Sequence, residues 1–597
     1  MYVTTSGIEK YRVVQFREDI RIPGTSKKKT NVIRTVGKYA DLLAEDPGFL
    51  AKLKAEAKRL TREQKESDRP LLIEADMKEI ATPEDATPSF LFGHAIIARL
   101  WDIMGLDSLL EKNCTMRNAR AVRNAIYLLV AHRCSNPDSV RATAADQDRY
   151  AGVTPVGLDV FYSVLDVLSE QKEALVEHLC SFFRKRTTRK MDQCCFDVTT
   201  YAFESTKWGE MRLFGFSKAH KNNEVQVVMG LLIDNNGIPI TYELFPGNTM
   251  DQNTLVDSIS RLKELYGLNG ITVVADRGMN ANDNLLFLHG GGYHFVISYT
   301  LKRSRQEFKD AVFGDDTPWA VERYDSETGQ LAYASKVLKQ SVSAKVELTP
   351  EEVEALKVQR KLEKKRGRCP KYREEKIDAH VHVTYSLKRA DKDLGDRNRM
   401  LERLKAKLEN PGKLKVAMRR GGNQYLQMDM DTENATIDER KIVEAARFDG
   451  YYAVVTDRME LTTEEVMVIY RGQWKIEESF RIMKTDLQAR PVFVWDDNHV
   501  KGHFTMCYLS LCIMRYLQYL MEENSMVVLS AEEIMRAISQ PRALVQGKFP
   551  KSVVTPTEVP QSYLDIASML KLPPLLTNMS LTKFRSTTKL DLKENSF

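Results

Sequence analysis

The sequence predicts a mixed α/β fold (α+β mixed) whose central sheet is built by three successive strands and then by alternating helices and strands. The three strand patterns are QCCFDVTTYAF, EVQVVMGLLID and IPITYELFPG, with a turn at Asn235–Gly237 between the last two. A helix at about 251–266, the apolar strand ITVVAD, a helix over NANDNLLFLH and the strand YHFVISYT follow. This is the strand order of an RNase H-like sheet, in which the first and fourth strands lie side by side. The Val, Ile, Leu and Phe residues of these strands suit a sheet that is covered on both faces.

Length and composition define the class of protein. The chain has 597 residues, of which 43% are hydrophobic and 28% charged, which is typical of a globular protein with several domains. The net charge of +6 is mildly basic and permits a nucleic-acid partner without requiring one. The chain begins without an apolar signal core, and no stretch approaches the roughly 20 apolar residues that cross a bilayer. We therefore expect a soluble, cytoplasmic protein with no membrane partner.

The N-terminal part divides into two regions. Residues 1–88 predict a hairpin with a basic turn and then a charged helix at about 47–67, and they form a possible DNA-binding region. The basic turn contains Lys27, Lys28 and Lys29, for which a solvated loop is the alternative. Residues 89–188 are helical in pattern and carry several arginines, which suits a DNA-binding bundle, although a purely structural bundle fits equally well. These arginines are Arg117, Arg120, Arg123, Arg133 and Arg141.

The rest of the chain divides into a core in two parts, an insertion and a C-terminal region. Residues 189–300 form the first part of the core, and residues 448–525 form the second, with a strand at FDGYYAVVTD and a buried apolar helix from His499 to Met521. Residues 301–447 carry further strand patterns and predict a β-rich insertion domain. Residues 526–597 combine helical pieces, a Pro-rich stretch and a polar tail, and predict a partly disordered C-terminal region.

The cysteines and histidines do not predict a zinc site. Eight Cys residues occur without a CxxC pair, which is typical of reduced thiols in a core. Cys194 and Cys195 are adjacent on a strand, so one is expected to point into each face. His380 and His382 would share one face of a strand, but an ordinary exposed strand is the simpler interpretation, because no further ligand lies nearby in the sequence.

The candidate site is centred on the stretch YRGQWKIEESFRIMK, Tyr470–Lys484. Thr462 and Glu465 form a capping-box pattern that opens the helical run. At about 100° per residue, one polar face gathers residues within about 60° of one another, beside an apolar stripe. The members of this polar face are Tyr470, Gln473, Glu477 and Lys484. Glu478 lies about 100° round the helix, so Glu477 is the carboxylate that this face presents.

Two further carboxylates stand at the ends of strand patterns. Asp197 ends the first core strand and Asp276 the fourth, so the two would meet in the predicted sheet. Three carboxylates from separate elements are what a site needs to hold two divalent metals against a phosphodiester. We expect Asp197 to bridge the metals, and Asp276 and Glu477 each to complete one coordination sphere. Oxygen ligands without Cys or His favour Mg²⁺, which Mn²⁺ can replace.

The chain resembles the DDE transposases of bacterial insertion sequences. The matching superfamily has the signature Tyr, two residues, Arg, three residues, Glu, six residues, Lys. Tyr470, Glu477 and Lys484 match this spacing, and Gln473 takes the place of the Arg. The likeness extends through Asp486–Phe504 and is closest to the branch with long transposases.

The resemblance implies a retroviral-integrase-like catalytic core. It also implies an enzyme that binds terminal inverted repeats, cleaves the strands at the element ends and joins the 3′-hydroxyl to target DNA. The partners would be double-stranded DNA, as transposon ends and as target, and a second copy of the chain in a homodimeric synaptic complex. Tyr470 and Lys484 would touch phosphates near the cleaved end. Gln473 is a neutral amide where the family has a charged fork, so this contact is weaker or supplied by another residue. The other candidates for phosphate contact are Arg277, Arg471, Lys475 and Arg481.

Two other functions remain open. A domesticated or regulatory DNA-binding protein would keep the fold with little or no transposition activity, which the three intact acids disfavour. A carboxylate-pair hydrolase acting on sugars needs only one acid pair and leaves the basic segments unexplained. Some members of the superfamily use a hairpin intermediate and hold a flipped base on an aromatic side chain. Trp319 would be that side chain here, although a core tryptophan is the alternative.

Overall fold

The structure is a computed structural model of the chain. It describes residues 2–8, 11–21, 28–67, 89–113, 119–190, 193–204, 206–215, 224–249, 254, 271–275, 282–314, 317–348, 350–362, 372–408, 425–428, 435–546 and 552–590. The helix predicted at about 251–266 falls almost wholly outside these residues, as do Lys27 and Arg117.

The described strands and helices are as follows. The strands are β1 (Tyr2–Ser6), β2 (Val13–Arg21), β3 (Lys28–Lys38), β4 (Ser89–Leu91), β5 (Gln193–Ala202), β6 (Gln226–Ile233), β7 (Pro239–Pro246), β8 (Thr272–Ala275), β9 (His294–Ser298), β10 (Val321–Tyr324), β11 (Leu331–Glu347), β12 (Tyr372–Ser386), β13 (Leu426–Met428), β14 (Ala435–Ile437), β15 (Tyr451–Thr456), β16 (Arg542–Gln546), β17 (Val553–Thr557) and β18 (Met579–Ser580). The helices are α1 (Tyr39–Glu45), α2 (Phe49–Ser67), α3 (Ala95–Met104), α4 (Leu106–Asn113), α5 (Ala119–Arg133), α6 (Val140–Ala145), α7 (Leu158–Glu170), α8 (Lys172–Arg186), α9 (Asn282–Gly290), α10 (Gln306–Phe313), α11 (Pro350–Leu362), α12 (Leu387–Leu408), α13 (Glu439–Ala446), α14 (Thr463–Arg471), α15 (Trp474–Arg481), α16 (Asp497–Glu523), α17 (Ala531–Ser539), α18 (Gln561–Met569) and α19 (Leu581–Thr588).

A nine-stranded mixed sheet forms the centre of the molecule. Its strand order is β10-β11-β12-β15-β9-β8-β5-β6-β7. The strands β5, β6 and β7 form an antiparallel meander, and β8 lies between β5 and β9, parallel to both. The predicted mixed α/β fold with an RNase H-like core is confirmed, because the first and fourth core strands are neighbours.

The insertion extends this sheet. Strands β11 and β12 form a long antiparallel hairpin, and β12 then pairs with β15, the strand that returns the chain to the core. Helices α11 and α12 lie in the same insertion. The insertion was predicted as β-rich, whereas its described residues combine strands with long helices. The union of insertion and core in one continuous sheet was not predicted, because it depends on pairing between distant segments.

The two faces of the sheet carry separate hydrophobic clusters. Cys195 and Tyr201 belong to the cluster that includes α16, whereas Cys194 and Phe196 belong to the cluster on the other face. The two cysteines therefore point to opposite faces, as predicted from their adjacency. Helix α16 is buried along nearly its whole length, which its continuous apolar pattern predicted.

The N-terminal helical region packs on the core. Helices α5 and α7 lie against α16. Arg133 is buried and donates hydrogen bonds to the carbonyl oxygens of Asp138, Leu487 and Gln488 at 3.0, 3.3 and 3.1 Å. This packing favours the structural interpretation of the helices, and it assigns Arg133 to the core rather than to a DNA contact.

The two ends of the chain form smaller sheets. Strands β2 and β3 pair as the predicted hairpin, and β1 adds a third strand. Strands β16, β17 and β18 pair with β4 in a four-stranded sheet, so the C-terminal region contacts the start of the helical region. No helix in the described part of the chain combines the length and apolar character that a membrane span needs.

Candidate active site

Strand β5 carries the first predicted acid. Alternation along the strand gives Cys195, Asp197, Thr199 and Tyr201 the same face. Asp197 is half-buried, and one carboxylate oxygen accepts a hydrogen bond from the Val198 amide at 2.7 Å. The site therefore begins on the face of the sheet that is covered by α15 and α16.

The pairing register of β5 and β8 is relevant to Asp276, the second predicted carboxylate, which follows β8 directly in the sequence. Cys195 lies opposite Val274 in the parallel pair, and Ala275 is the last described residue of β8. Asp276 and Arg277 lie outside the described residues. Asp197 is two residues beyond Cys195 in the sequence, as Asp276 is two residues beyond Val274.

The acidic helix differs from the single continuous helix that the sequence predicted. The capping box of Thr462 and Glu465 is present, but α14 ends at Gly472, and α15 is followed by a π-helical turn, Ile482–Asp486. Gln473 is only 5% exposed, whereas Glu477 is exposed. The two residues are one helical turn apart, with the Glu477 amide donating to the Gln473 carbonyl oxygen at 3.4 Å, so their different exposure comes from neighbouring packing and not from helical phase.

The segment Tyr470–Lys484, called here the acidic segment, lies along the face of β5 that carries Asp197. A Cβ on Gly472 would lie 3.8 Å from the Cys195 sulfur, so this end of the segment sits over the start of the strand. At the other end, the Lys484 ammonium donates a hydrogen bond to the Thr199 hydroxyl, and the Tyr201 hydroxyl lies 3.6 Å from the Met483 sulfur. Helix α15, which carries Glu477, spans the stretch of strand between these contacts.

Two neighbouring glutamates have different surroundings. Glu478 accepts a hydrogen bond at 2.7 Å from the guanidinium of Arg515, which is buried in α16. The same guanidinium donates to the carbonyl oxygens of Lys475 at 3.0 Å and Gly237 at 3.1 Å. Arg515 thus fastens α15 to the turn between β6 and β7. Arg515 was not among the predicted site residues, although an arginine inside an apolar helical run is the signal of such a buried contact.

The remaining predicted DNA contacts are distributed along the same segment. The Tyr470 ring packs 5.5 Å from the Tyr452 ring, and Arg471 is exposed. Arg481 is half-exposed and forms ion pairs with Asp486 at 3.2 Å and Glu478 at 4.0 Å. Lys475 donates to the Asn235 carbonyl oxygen at 2.8 Å, so this lysine joins α15 to the sheet.

A cavity of about 300 Å³ opens between β9, β15 and α12. It is lined by Tyr452, the neighbour of Tyr470, and by further aromatic, basic and acidic side chains. These side chains are Tyr299, Lys302, Arg389, Asp393, Asp396, Arg397, Phe448, Asp449 and Tyr451. The Arg389 guanidinium lies 4.5 Å from the centre of the Tyr452 ring. Trp319 packs nearby, between Tyr451 at 6.1 Å and the Lys336 ammonium at 4.7 Å.

His382 is buried, contrary to the expected exposed strand. Its Nδ1 is 2.9 Å from the hydroxyl of Thr463, the first residue of α14. Burial, aided by neighbouring His380, lowers the pKa of His382 to about 4. The histidine therefore ties the insertion to the start of the acidic segment.

The donor set at β5 fits hard cations. Asp197 and Glu477 offer only carboxylate oxygens, which suit Mg²⁺ or Mn²⁺. Burial raises the pKa of the nearby Cys195 thiol to about 12, so this thiol stays protonated and is a poor ligand. A separate grouping, Asp166, Asp496 and His499, has ligand atoms within 4.8 Å of one another. Asp496 in that grouping already caps α16.

Comparison with known proteins gives the family. The family described as "Transposase DDE domain" matches residues 188–513, from just before β5 into α16. One solved structure, "Cryo-EM structure of piggyBac transposase synaptic complex with hairpin DNA (SNHP)", aligns over 85% of this chain and 84% of that chain, with 10% identity and a TM-score of 0.33. A TM-score this low supports no structural argument. No curated protein matches the chain. The family match covers more than half of the sequence and contains Asp197 and the whole acidic segment, so the chain belongs to the transposase DDE domain family.

Proposed function

We propose that this transposase acts for a bacterial DNA insertion sequence. It would bind the terminal inverted repeats, cleave the strands at the element ends and join the 3′-hydroxyl to target DNA. The observation that carries the proposal is the placement of the acidic segment along the Asp197 face of β5, with Lys484 bonded to Thr199. The strand that carries Asp197, the helix that carries Glu477 and the side chain of Lys484 lie next to one another there.

The metal ligands in this proposal are Asp197, Asp276 and Glu477. The parallel register supports the first pair, because Cys195 and Val274 are opposite each other and each precedes an aspartate by two residues. The exposure of Glu477 and the engagement of Glu478 by Arg515 support the third. Two divalent metals, Mg²⁺ or Mn²⁺, would activate the attacking oxygen and stabilise the leaving oxygen of a phosphodiester.

The protein's own side chains would orient the DNA. Lys484 bonds to Thr199, which is two residues from Asp197 on the same face of β5. From there its ammonium group would hold a phosphate beside the carboxylates. Tyr470 and exposed Arg471 would contact the backbone on the α14 side. Arg277 and Arg481 are further candidates, although Arg481 would have to compete with its own ion pairs.

Gln473 receives a different role from the one expected. Because it is only 5% exposed, its amide is poorly placed to reach a phosphate. We infer that it supports the break between α14 and α15, and that Arg471 supplies the charge which the family places at this position.

The cavity between β9, β15 and α12 is a better candidate site for a flipped DNA base than the surroundings of Trp319. Several of its lining residues are aromatic, and Arg389 already stacks on Tyr452, which is the combination that holds an unpaired base. If the element leaves through a hairpin, we infer that the flipped base enters this cavity. A homodimer would be needed because two element ends must be paired.

The decisive experiment compares Asp197→Asn with wild type on duplex DNA that carries the element end. We expect Asp197→Asn to abolish Mg²⁺-dependent nicking and to leave end binding intact. Asp565→Asn is the matched control, since Asp565 is an exposed aspartate on α18, far from β5 in the sequence. Nicking by Asp197→Asn would remove this residue from the site.

The same experiment tests the alternative function. A domesticated or regulatory DNA-binding protein of this fold would bind the end DNA without nicking it, whatever the metal. Wild type and Asp197→Asn would then be indistinguishable.

A further inference from the structure

Two loops beside β5 expose an unusual set of large aromatic side chains. Trp208 is 74% exposed, Phe493 is 57% exposed and Trp495 is 50% exposed. Tryptophan is mostly buried in folded proteins, and grouped exposed apolar side chains mark binding sites. We call Lys207, Trp208, Arg212, Phe493 and Trp495 together the aromatic surface.

The loop that carries Trp208 is held in place by backbone hydrogen bonds. The Gly209 amide donates to the Arg212 carbonyl oxygen at 3.0 Å, and the Gly247 amide donates to the Met211 carbonyl oxygen at 3.0 Å. Leu213 exchanges two such bonds with Gln226 at the start of β6. The exposed ring is therefore displayed from a turn anchored to the sheet.

Basic groups lie against these rings. The Lys207 ammonium is 5.0 Å from the centre of the Trp495 ring, and the Arg212 guanidinium is 6.0 Å from the same ring. Arg212 is 8% exposed and donates to the Lys207 carbonyl oxygen at 3.2 Å. Its Nε is buried without a hydrogen-bond partner among the described residues. The buried Arg212 guanidinium therefore places a positive charge close to the Trp495 ring.

The aromatic surface lies along the strand that carries the proposed active site. Phe203, which follows β5, has the Arg212 guanidinium 5.9 Å from its ring and is six residues beyond Asp197. At about 3.3 Å per residue this is roughly 20 Å along the strand. A nucleic-acid strand with a spacing of about 3.4 Å per nucleotide would cover this distance in about six nucleotides.

Unpaired DNA bases match this chemistry. Aromatic rings stack on bases of any sequence, and nearby cations neutralise the backbone, which is how proteins bind single strands. Bases inside a duplex are already stacked on one another and offer no free face. We propose that the aromatic surface binds single-stranded DNA, with unpaired bases stacked on Trp208 and Trp495 and with Lys207 facing the backbone. This inference rests on the proposed function for its ligand, the strand released near a cleaved end.

Charge alone would not supply the affinity. Glu210 is exposed in the same turn and partly offsets Lys207. Stacking on the exposed rings should therefore supply a large share of the binding free energy beside the contribution of the phosphate contacts.

The test measures binding of a fluorescent oligo-dT and of a random-sequence duplex of equal length to the full chain, in EDTA so that no cleavage occurs. We expect Trp208→Ala and Trp495→Ala each to weaken oligo-dT binding roughly tenfold, because a base–aromatic stack is lost. Trp208→Phe should restore most of the affinity, and duplex binding should change little. Val527→Ala, at an 84% exposed apolar site outside the two loops, is the control and should leave oligo-dT binding unchanged.

Each outcome decides one of the two proposals. If the tryptophan variants bind oligo-dT as wild type does, or wild type does not bind it, the aromatic surface is not a single-strand site. A chain that nicks element ends but fails this test keeps the transposase function and loses the surface. A chain that binds oligo-dT through Trp208 and Trp495 but nicks no DNA keeps the surface and loses the function.

Discussion

At the residue scale, two adjacent glutamates of α15 have different proposed roles: Glu477 as a metal ligand and Glu478 as a structural partner of Arg515. Helical phase alone selected Glu477 over Glu478, and the contacts of Arg515 give that choice a physical basis. The same reasoning could not show that Gln473 is buried, because its burial depends on tertiary neighbours. Sequence reasoning proposed Asp197, Glu477 and Lys484 from residue type and spacing, and the structure places Lys484 against the strand that carries Asp197. Sequence reasoning could not find Arg515 or the contact of His382 with Thr463, which depend on tertiary neighbours.

The two glutamates should therefore fail in different ways. We expect Glu477→Gln to lower the nicking rate roughly a hundredfold or more, because a metal ligand contributes several kcal/mol to the transition state. Its Tm should stay near that of wild type, since Glu477 is exposed. Glu478→Gln should instead lower the stability by about 1–3 kcal/mol, because the buried Arg515 loses its anionic partner. Nicking rates and thermal unfolding of both variants check this, and the reverse pattern would exchange the two roles.

At the scale of elements, patterns of apolar residues predicted strands and helices but not their partners. The continuous apolar runs identified β6, β8 and α16, and the turn at Asn235–Gly237 was recognised from its residue types. The pairing of β12 with β15 and of β4 with β16 was not predictable, because strand pairing between distant segments leaves no local signal. The π-helical turn after α15 likewise has no local signature.

The turn between β6 and β7 should matter for the acidic helix. Gly237 has φ +83°, and a Cβ there would lie 2.6 Å from an Arg515 nitrogen that is held by hydrogen bonds. Gly237→Ala should therefore lower the stability by about 2–4 kcal/mol, from backbone strain and displaced hydrogen bonds, and should also slow nicking. Gly329→Ala is the matched control, since Gly329 has φ +66° with no atom within 4 Å of the added Cβ. It should lower the stability by about 1–2 kcal/mol and leave nicking unchanged. Equal nicking by the two variants would show that the turn does not position α15.

At the scale of the whole molecule, segments that are distant in the sequence pack together around the nine-stranded sheet. The helices of the N-terminal region pack on α16, and the C-terminal strands pair with β4. Composition predicted a helical region and a partly disordered C-terminal region, and the described C-terminal residues form strands and helices that join the main hydrophobic cluster. The regions that looked separate in the sequence pack against one another. We therefore expect them to unfold largely together when pH or temperature is changed.

This shared packing predicts loss of stability in mild acid. Burial lowers the pKa of His94, His132 and His382 to about 4 and that of His503 to about 3. In the unfolded chain these histidines have an ordinary pKa near 6.5, so below that pH the unfolded state binds protons that the folded state does not. Stability is therefore fully present above about pH 6.5 and falls as the pH drops toward 4, by about 1 kcal/mol per histidine at pH 5.5.

Thermal unfolding at pH 7.5 and pH 5.5, at fixed ionic strength, measures the effect. We expect a clear fall in the Tm of wild type at the lower pH. His503→Gln removes one titrating group and keeps a donor for the Ala489 carbonyl oxygen, which the His503 ring approaches at 3.1 Å. The variant should therefore lose less stability between the two pH values than wild type does. An unchanged wild-type Tm would mean that the buried histidines reach solvent before the fold opens, and an equal fall in both proteins would exclude His503 from the effect.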